Sequence, residues 1–472
     1  MTDGAVRVLE VHGTPAQKAL IAKLTSDDAE RAWMAGQWMT ERPGGSDVSG
    51  TETVARPVSR QRDGRHQAGD AFVLDGFKWF SSGVDGDIAL ALARIEGEEK
   101  LSLFLVRLRN EEGGLNGIKV HRLKEKLGTK YVPTAELELE GCRAELVGRP
   151  GEGVKSIAEV LNITRLYSAA GGVSGLAYGL SVSSEFAKKR MVGGKRLSEL
   201  ALHTHSLWRI TVLQRGLMQV FFSAVGLLGR SECGVAGEEE QLLLRLYTPA
   251  LKAFTSTRAS EAMLGLVDSF GGQGYMEDSG LGVAELLRDL TVERIWEGTA
   301  EVLSMDVVRV MVKSEGRALQ VFVDDLNKRL AGLGSTGLVS TAKELVQSFE
   351  SKAREATASL ARAVATRERL PDYRFARPML DLIVCLHGAV LLLEQAAWSQ
   401  SASSDETLAS KIKLCGASPS PNDDLAVAKA WIEDVSDTHR TLANFTSLVA
   451  ELSGQQPDTK PHENSLIFAS KL

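Results

Sequence analysis

The spacing of hydrophobic residues changes from a strand-like to a helix-like period along this chain of 472 residues. Between about residues 50 and 148, short apolar runs predict β-strands, including 88–93 and 101–108. Residues 135–140 alternate strictly between apolar and acidic side chains, which is typical of a strand with one buried and one solvated face. Asp75-Gly76 lies between two apolar runs and predicts a hairpin turn. This part of the chain is therefore predicted to be a small β-domain.

The chain on both sides of this segment is predicted to be helical. From Gly151 onward, apolar residues recur three and four positions apart, which indicates long helices separated by glycine and proline. We predict an α+β fold that is mainly α, with domains at 1–36, 37–148, 149–312 and 313–472. The predicted helices are 16–24, 27–34, 156–187, 200–228, 238–270, 318–332, 338–367, 377–400 and 405–450.

Composition and charge narrow the class of protein. The formal net charge of −6 gives no general reason to expect nucleic-acid binding, so DNA is not an expected partner. The four cysteines are widely spaced, which fits free thiols rather than a disulfide framework. The histidines form no metal-binding pattern, and no apolar run reaches the length of about 20 residues that spans a bilayer. We therefore expect neither a metal site nor a membrane span.

The segment Trp296-Glu297-Gly298-Thr299 places a carboxylate between an indole ring and a glycine-threonine turn. An apolar helical pattern follows, so Thr299 is predicted to be the N-cap, its hydroxyl accepting a backbone N–H. A carboxylate packed against indole loses hydration, which would raise the pKa of Glu297 toward the range of a general base. The alternative is an ordinary exposed glutamate in a loop.

Two glycine-rich segments and one strand end are candidate ligand-binding sites. The loop 39–46 brings backbone N–H groups close to a ligand and adds hydroxyls from Thr40 and Ser46; a surface turn is the alternative. The Gly-Gly-x-Gly run at 271–274 is either a helix C-cap and turn or a backbone site for a phosphate or a ring edge. Trp79 is either core packing or a flat wall for a planar ring.

Taken in order, these motifs resemble those of the acyl-CoA dehydrogenase superfamily over roughly residues 36–312, and look most like its alkylation-response (AidB-like) branch. The motifs are Met39-Thr-Glu-Arg-Pro-Gly-Gly-Ser46-Asp47, Lys78-Trp79-Phe-Ser81, Gly151-Glu-Gly153, Thr164-Arg165, Phe270-Gly-Gly-Gln-Gly274, Arg288-Asp289 and Trp296-Glu297-Gly298-Thr299. The resemblance implies a β-barrel middle domain, a helical bundle and a C-terminal helical extension. It also implies FAD as the cofactor, bound at a subunit interface of a homodimer or homotetramer.

The resemblance also assigns roles to individual residues. Glu297 matches the catalytic base that removes the α-proton of an acyl-CoA thioester while a hydride leaves for flavin N5. Arg190 corresponds to an arginine that reaches the FAD pyrophosphate of a neighbouring subunit. The other implied cofactor-binding residues are Met39, Thr40, Gly45, Ser46, Trp79, Ser81, Gly271, Gly272, Gly274 and Thr299.

The sequence departs from the family pattern near its start and in the Arg190 segment. Only about 40 residues precede the Thr40 loop, where the family has a whole helical domain, so residues 1–36 are expected to be a remnant of it. The segment Arg190-Met-Val-Gly-Gly lacks the phenylalanine usual before the glycine, which bears on FAD affinity and the subunit contact.

The final residues, Ser470-Lys471-Leu472, match the tripeptide read by the peroxisomal import receptor, so a peroxisomal location is expected. The leading function is FAD-dependent α,β-dehydrogenation of an acyl-CoA. An acyl-CoA oxidase is the second hypothesis, favoured by the import tripeptide. Two further hypotheses are a DNA-associated protective flavoprotein, by AidB resemblance, and a catalytically silent FAD-fold scaffold.

Overall fold

The computed structural model describes residues 1–59, 65–366, 373–405, 407 and 420–452. These residues belong to two compact units, Met1–Tyr167 and Ser168–Leu472. The domain boundaries predicted at 36, 148 and 312 fall inside the units and stay predictions. The import tripeptide and Cys415 lie outside the described residues, whereas Cys142, Cys233 and Cys385 are free thiols.

Five strands of the first unit close into a ring in the order β3-β2-β4-β5-β7, because β3 also pairs with β7. Strand β1 runs parallel to β4, and β6 pairs with the outer part of β7. The strands are β1 (Ala35–Trp38), β2 (Val54–Pro57), β3 (Ala71–Ser82), β4 (Ile88–Ile95), β5 (Leu101–Arg107), β6 (Ile118–Leu123) and β7 (Thr134–Val147).

Strand β4 is buried on both faces because it separates two apolar cores. Ala89, Ala91 and Ala93 point into the ring, where small side chains leave room for Phe72 and Phe104. The alternate residues Ile88, Leu90 and Leu92 pack outside the ring, together with Val8 and Leu9 of the first helix and with Ile157. The short helices of this unit thus cover one wall of the barrel.

The hairpin predicted at Asp75-Gly76 is wrong, because β3 continues as one twelve-residue strand through these positions. Its pairing with β7 shifts register between Leu74 and Gly76, which marks a β-bulge where the strand bends around the ring. A Cβ at Gly76 would lie 2.7 Å from the Thr53 Cα. The glycine therefore permits close approach of neighbouring backbones rather than a chain reversal.

The helix predicted at 27–34 is also wrong, whereas the one predicted at 16–24 is present as two short helices. Residues 27–34 form turns in which the Ser26 Oγ accepts from Asp28 N and the Asp28 Oδ1 accepts from Glu30 N. Such local side-chain bonds compete with helix formation. The helices of the first unit are α1 (Thr2–His12), α2 (Pro15–Lys18) and α3 (Ile21–Leu24), followed by the start of α4 (Gly153–Lys189).

The described residues of the second unit form helices and one two-stranded hairpin, and the long helices match the predicted ones closely up to α12. The mainly α, α+β fold class is thereby confirmed. The elements after α4 are β8 (Met191–Val192), β9 (Lys195–Arg196), α5 (Ala201–Glu232), α6 (Glu238–Ser269), α7 (Gly272–Tyr275), α8 (Val283–Glu293), α9 (Ala300–Lys313), α10 (Arg317–Ala331), α11 (Gly337–Thr366), α12 (Ala376–Ser404), α13 (Pro421–Ala430) and α14 (Thr438–Leu452). Residues 406 and 408–419 of the helix predicted at 405–450 lie outside the described residues. In the remainder, a π-helical turn, Trp431–Val435, separates α13 from α14.

Two helices within the described ranges, α5 and α12, are long and apolar enough to cross a bilayer by length and composition alone. The apolar window of α12 is 89% buried inside the protein, as in a core helix. That of α5 is 44% buried. These features are weak evidence for a membrane span, and the expectation that none exists stays a prediction.

Replacing Gly76 by alanine tests the role of the bulge. Because the added methyl would overlap the Thr53 backbone, Gly76→Ala should lower the free energy of unfolding by about 1–3 kcal/mol. Urea unfolding followed by tryptophan fluorescence measures this change. The control is Gly226→Ala in α5, where an added Cβ meets nothing within 4 Å and should be neutral or stabilising by up to about 1 kcal/mol. Equal stability of both variants would contradict this account.

Candidate functional site

The loop 39–46 makes a tight turn at Arg42-Pro43 that directly follows β1. Glu41 and Gly44 exchange two backbone hydrogen bonds, each 3.2 Å long. A Cβ at Gly45 would lie 3.1 Å from Thr40 Cγ2, so this glycine leaves room for the threonine side chain. Thr40 is half-buried, whereas Gly45 and Ser46 are exposed. The predicted loop is therefore present and presents its tip to solvent.

A buried ion pair fixes this loop to the barrel. The Lys78 Nζ lies 2.6 Å from the Glu41 Oε1, and both side chains are almost completely buried. The ammonium also donates to the Leu92 carbonyl at 2.7 Å. This pair was not predicted from the sequence. Lys78 shares a strand with the buried Phe72 and Leu74, two positions from Gly76, so strand periodicity offered a signal for an inward-facing lysine.

The pKa of the Glu41 carboxyl lies below its usual value. Burial alone would raise it, but attraction to Lys78 and hydrogen bonds from Lys78, Thr53 and the Glu52 backbone outweigh that effect. A lowered folded-state pKa means that the stabilisation is complete above the ordinary glutamate pKa. It is lost as the pH falls through the lower folded-state value.

Trp79 and Ser81 follow Lys78 near the end of β3. The Trp79 backbone N–H donates to the Thr40 carbonyl at 3.0 Å. This bond joins the loop to Trp79, the residue predicted to form a flat wall for a planar ligand ring. The Lys124 Nζ lies 3.4 Å from the centroid of the half-buried indole, and the Arg42 Cζ lies 4.7 Å from it. The Ser81 Oγ is fully buried and has no hydrogen-bond partner within the described part of the chain. Within the first unit, the structure thus brings Thr40, Gly45, Trp79 and Ser81 together.

The residues that were predicted to contact the cofactor of a neighbouring subunit follow the ends of α4 and α6. Arg190 is exposed and precedes a hairpin whose turn, Gly193-Gly194, has both φ angles positive. Gly271 and Gly272 are exposed with open space around them, whereas a Cβ at Gly274 would collide with the Val267 carbonyl. The Phe186 and Phe270 rings pack at 5.2 Å, which places these two helix ends side by side.

Glu297 lies in a strained turn between α8 and α9. Its φ is 58°, a left-handed conformation that costs a non-glycine residue about 1–3 kcal/mol and is concentrated at functional sites. Gly298 follows with φ 104°. The Nζ of the fully buried Lys252 of α6 donates to the Gly298 carbonyl at 2.6 Å. Lys252 therefore anchors the turn that carries the predicted base.

The indole N–H of Trp296 is bound by a second carboxylate, Glu293, whereas the predicted packing of Glu297 against the indole ring stays a prediction. The Trp296 Nε1 donates to the Glu293 Oε2 at 2.6 Å and to the Ser168 Oγ at 3.1 Å. Burial raises the pKa of Glu293, against the lowering effects of Ser168, Trp296 and Lys252. The side chain of Glu297 is half-buried. A raised pKa for Glu297 stays a prediction.

Thr299 occupies the N-cap position of α9, as predicted, but its hydroxyl makes no capping bond to a backbone N–H. It donates instead to the Glu301 carboxylate. The Glu301 backbone N–H and, to a smaller extent, this hydroxyl lower the pKa of Glu301. An acidic side chain in the first helical turn is also favourable to the helix dipole. Within the second unit, Glu297 and Thr299 therefore share one turn.

The fold and these motifs agree with those of a known protein family. The chain matches the acyl-CoA dehydrogenase middle domain over residues 36–142 and the acyl-CoA dehydrogenase C-terminal domain over residues 151–312, together more than half of its length. The chain belongs to the acyl-CoA dehydrogenase family, which confirms the predicted resemblance.

Individual relatives include an AidB-like protein. The chain is 39% identical to acyl-CoA dehydrogenase family member 11 of Caenorhabditis elegans, covering 86% of this chain and 66% of that protein. It is 33% identical to the putative acyl-CoA dehydrogenase AidB of Escherichia coli, covering 61% and 50%. It therefore spans between half and two thirds of the length of these curated relatives.

A solved structure gives the same fold. The structure of Caenorhabditis elegans ACDH-11 in complex with C11-CoA matches with a TM-score of 0.79 and 35% identity, covering 95% of this chain and 74% of that chain. This likeness covers the barrel, the helices of the family match and most of the C-terminal extension.

Removing Lys78 tests whether the buried ion pair holds the Thr40 loop. Lys78→Met leaves the Glu41 carboxylate buried without its ammonium, so the free energy of unfolding should fall by about 3–5 kcal/mol. Urea unfolding at neutral pH measures the loss. Lys119→Met is the matched control, because Lys119 pairs with Glu140 on an exposed part of the barrel, so its loss should change the stability far less. A similar small loss in both variants would refute the anchoring role.

Proposed function

We propose that the protein catalyses FAD-dependent α,β-dehydrogenation of an acyl-CoA thioester, with Glu297 as the base. Family membership and the relative in complex with C11-CoA support the substrate class. The position of Glu297 carries the proposal. A half-buried carboxylate is held at a left-handed φ, between an indole and a glycine whose carbonyl is bound by a buried lysine.

The turn geometry suits proton abstraction by a fixed carboxylate. Glu297 removes the α-proton and holds it on a carboxyl oxygen, while the thioester oxygen gains negative charge that requires hydrogen-bond donors. Lys252 keeps the backbone of the turn in place, so the carboxylate does not have to be ordered at the moment of reaction. Trp296, next to the base, is held by hydrogen bonds from its indole N–H to Glu293 and Ser168.

The first unit offers groups that fit FAD. The buried Ser81 hydroxyl, with no partner in the described chain, is available to a ligand atom. The half-buried Trp79 indole supplies a flat wall, and the Thr40–Ser46 loop supplies hydroxyls and backbone N–H groups. When bound, FAD would accept the hydride that leaves the β-carbon of the substrate. Met39, which is half-buried beside this loop, would complete the apolar lining.

Arg190 and the glycines 271, 272 and 274 are proposed to contact the FAD of a neighbouring subunit in a homodimer or homotetramer. Arg190 is exposed, and the packing of Phe186 on Phe270 supports its proposed proximity to Gly271. An exposed guanidinium next to an open glycine backbone is a suitable site for a pyrophosphate.

The base is tested by Glu297→Gln, which keeps the shape and removes the proton acceptor. Anaerobic mixing of the flavin-loaded protein with a series of acyl-CoAs, including the C11 thioester, should bleach the flavin. The Glu297→Gln variant should bleach it about 10²–10⁴-fold more slowly because general-base catalysis is lost. Stopped-flow absorbance measures the rate.

The control for this variant is Glu285→Gln, an exposed carboxylate in the first turn of α8, which should bleach at the wild-type rate. Absence of bleaching in the wild-type protein with every acyl chain would overturn the dehydrogenase proposal. Equal rates in the Glu297→Gln and wild-type proteins would remove Glu297 as the base.

An acyl-CoA oxidase is the second candidate, favoured by the Ser470-Lys471-Leu472 tripeptide, because peroxisomal flavin enzymes commonly return electrons to oxygen. Stoichiometric peroxide formation during aerobic turnover would identify an oxidase, and its absence would favour a separate electron acceptor. The likeness to AidB motivates a DNA-associated role, but the net charge of −6 argues against it.

Import through the tripeptide is tested in cells. A fluorescent protein fused before residue 1 should place the chain in peroxisomes, because the import receptor reads a free C-terminal Ser-Lys-Leu. Deleting residues 470–472 should leave the fusion diffuse, whereas deleting 457–459 should not. Peroxisomal fluorescence that survives loss of 470–472 would reject the proposed address.

A further inference from the structure

A second carboxylate, Glu293, lies at the end of α8 and contacts the Glu297 turn. It accepts a hydrogen bond from the Trp296 Nε1 at 2.6 Å and another from the Ser168 hydroxyl of α4. No sequence motif assigned it a role. Its contacts hold the indole that immediately precedes Glu297, so a change at Glu293 is transmitted to the turn.

A glycine on α4 leaves space for the Glu293 carboxylate to pack against this helix. A Cβ at Gly171 would lie 3.1 Å from the Glu293 Oε1. The absence of a side chain at 171 therefore lets the carboxylate approach the α4 backbone, where Ser168 is one helical turn away. A residue on the solvated face of a helix would need no such space.

The charged groups that act on Glu293 come from two elements. Lys252 of α6 attracts the carboxylate and lowers its pKa, whereas the Glu297 carboxylate repels it and raises its pKa. Burial contributes most to the net increase in the pKa. Because electrostatic repulsion is mutual, each of the two carboxylates acts on the other.

We propose that Glu293 is a positioning residue for the base: it holds Trp296 in place and couples its own protonation to that of Glu297. The idea rests on the proposed function for its catalytic consequence. Two carboxyls next to Lys252 then titrate as a pair, so the form of Glu297 that accepts a proton depends on the state of Glu293. This role differs from that of a structural acceptor, which would hold the indole without affecting titration.

The coupling is first tested without substrate. The fluorescence of Trp296, obtained by subtracting a Trp296→Phe variant, should titrate with pH, because protonation of Glu293 weakens the hydrogen bond from the indole. Glu297→Gln removes the repelling charge, so the midpoint should move to lower pH by about one unit. The Glu285→Gln control should leave it unchanged. A Trp296 signal that does not titrate, or a midpoint unmoved by Glu297→Gln, would overturn the proposal.

The catalytic consequence is tested by the pH profile of flavin bleaching. Glu293→Gln keeps an acceptor for the indole and removes the charge, so the acidic limb of the rate profile should move to lower pH, while Glu285→Gln leaves it in place. A profile that superimposes on that of the wild type would refute the coupling. If Glu293→Gln does not fold, the effect of Glu297→Gln on the Trp296 titration still decides the question.

Failure of the proposed function gives a different result from failure of this inference. If no acyl-CoA bleaches the flavin of the wild-type protein, the dehydrogenase proposal is wrong. The Trp296 titration of that protein still reports the coupling between Glu293 and Glu297. If the flavin bleaches normally but the Trp296 titration shows no coupling, the dehydrogenase proposal stands and only the proposed role of Glu293 is wrong.

Discussion

A lysine ammonium that is removed from solvent needs a hydrogen-bond acceptor. In this chain, two buried lysines find their acceptors in the Thr40 loop and in the Glu297 turn. Lys252 is fully buried in α6 and donates to the carbonyl of Gly298, the residue after the proposed base. Lys78 is fully buried in β3 and pairs with Glu41 in the Thr40 loop. In both places a cation on a regular element fixes a short irregular segment, because leaving the ammonium unpaired would cost several kcal/mol.

The contacts that anchor the turn explain how the strained backbone of Glu297 persists next to a glycine. Glu297 adopts a left-handed φ, and the surrounding structure over-determines it through Lys252, through the Trp296–Glu293 contact and through the start of α9. The strain and the anchor together describe a backbone held in one conformation at the residue that carries the proposed base. In the first unit, the Glu41–Lys78 pair similarly sets Trp79 and Ser81 beside Thr40, which is the group of side chains that suits a planar cofactor.

Regular elements were predictable from the sequence because their periodicity survives folding. The long helices α4 to α6 and α10 to α12 match their predicted ranges to within four residues, and the strand character of the middle segment is correct. The Asp75-Gly76 hairpin failed because a glycine that permits a bulge and one that permits a turn look alike in sequence. The helix at 27–34 failed because local bonds from Ser26 and Asp28 favour turns.

Those parts of the candidate site that lie in one continuous segment were predictable from the sequence. Those parts that residues far apart in the sequence form together were not. Trp296-Glu297-Gly298-Thr299 is recognisable in sequence, and so is the Thr40 loop. Glu293 and Lys252 could not be assigned, because their roles depend on α4, α6 and α8 packing together. For the same reason, the hydrogen bond from the Trp296 indole to Glu293 was not predicted. Periodicity predicts which face of a helix is buried, but not which carboxylate meets which donor.

The central claim is that the carboxylate of Glu297, fixed by the buried Lys252, takes the α-proton of an acyl thioester. Exchange of the α-hydrogens of the C11 acyl-CoA with deuterium from the solvent, followed by mass spectrometry with the flavin held reduced so that it accepts no hydride, reports removal of the α-proton. The account predicts exchange catalysed by the wild-type protein and almost none by the Glu297→Gln protein. Equal exchange by the two proteins would contradict it.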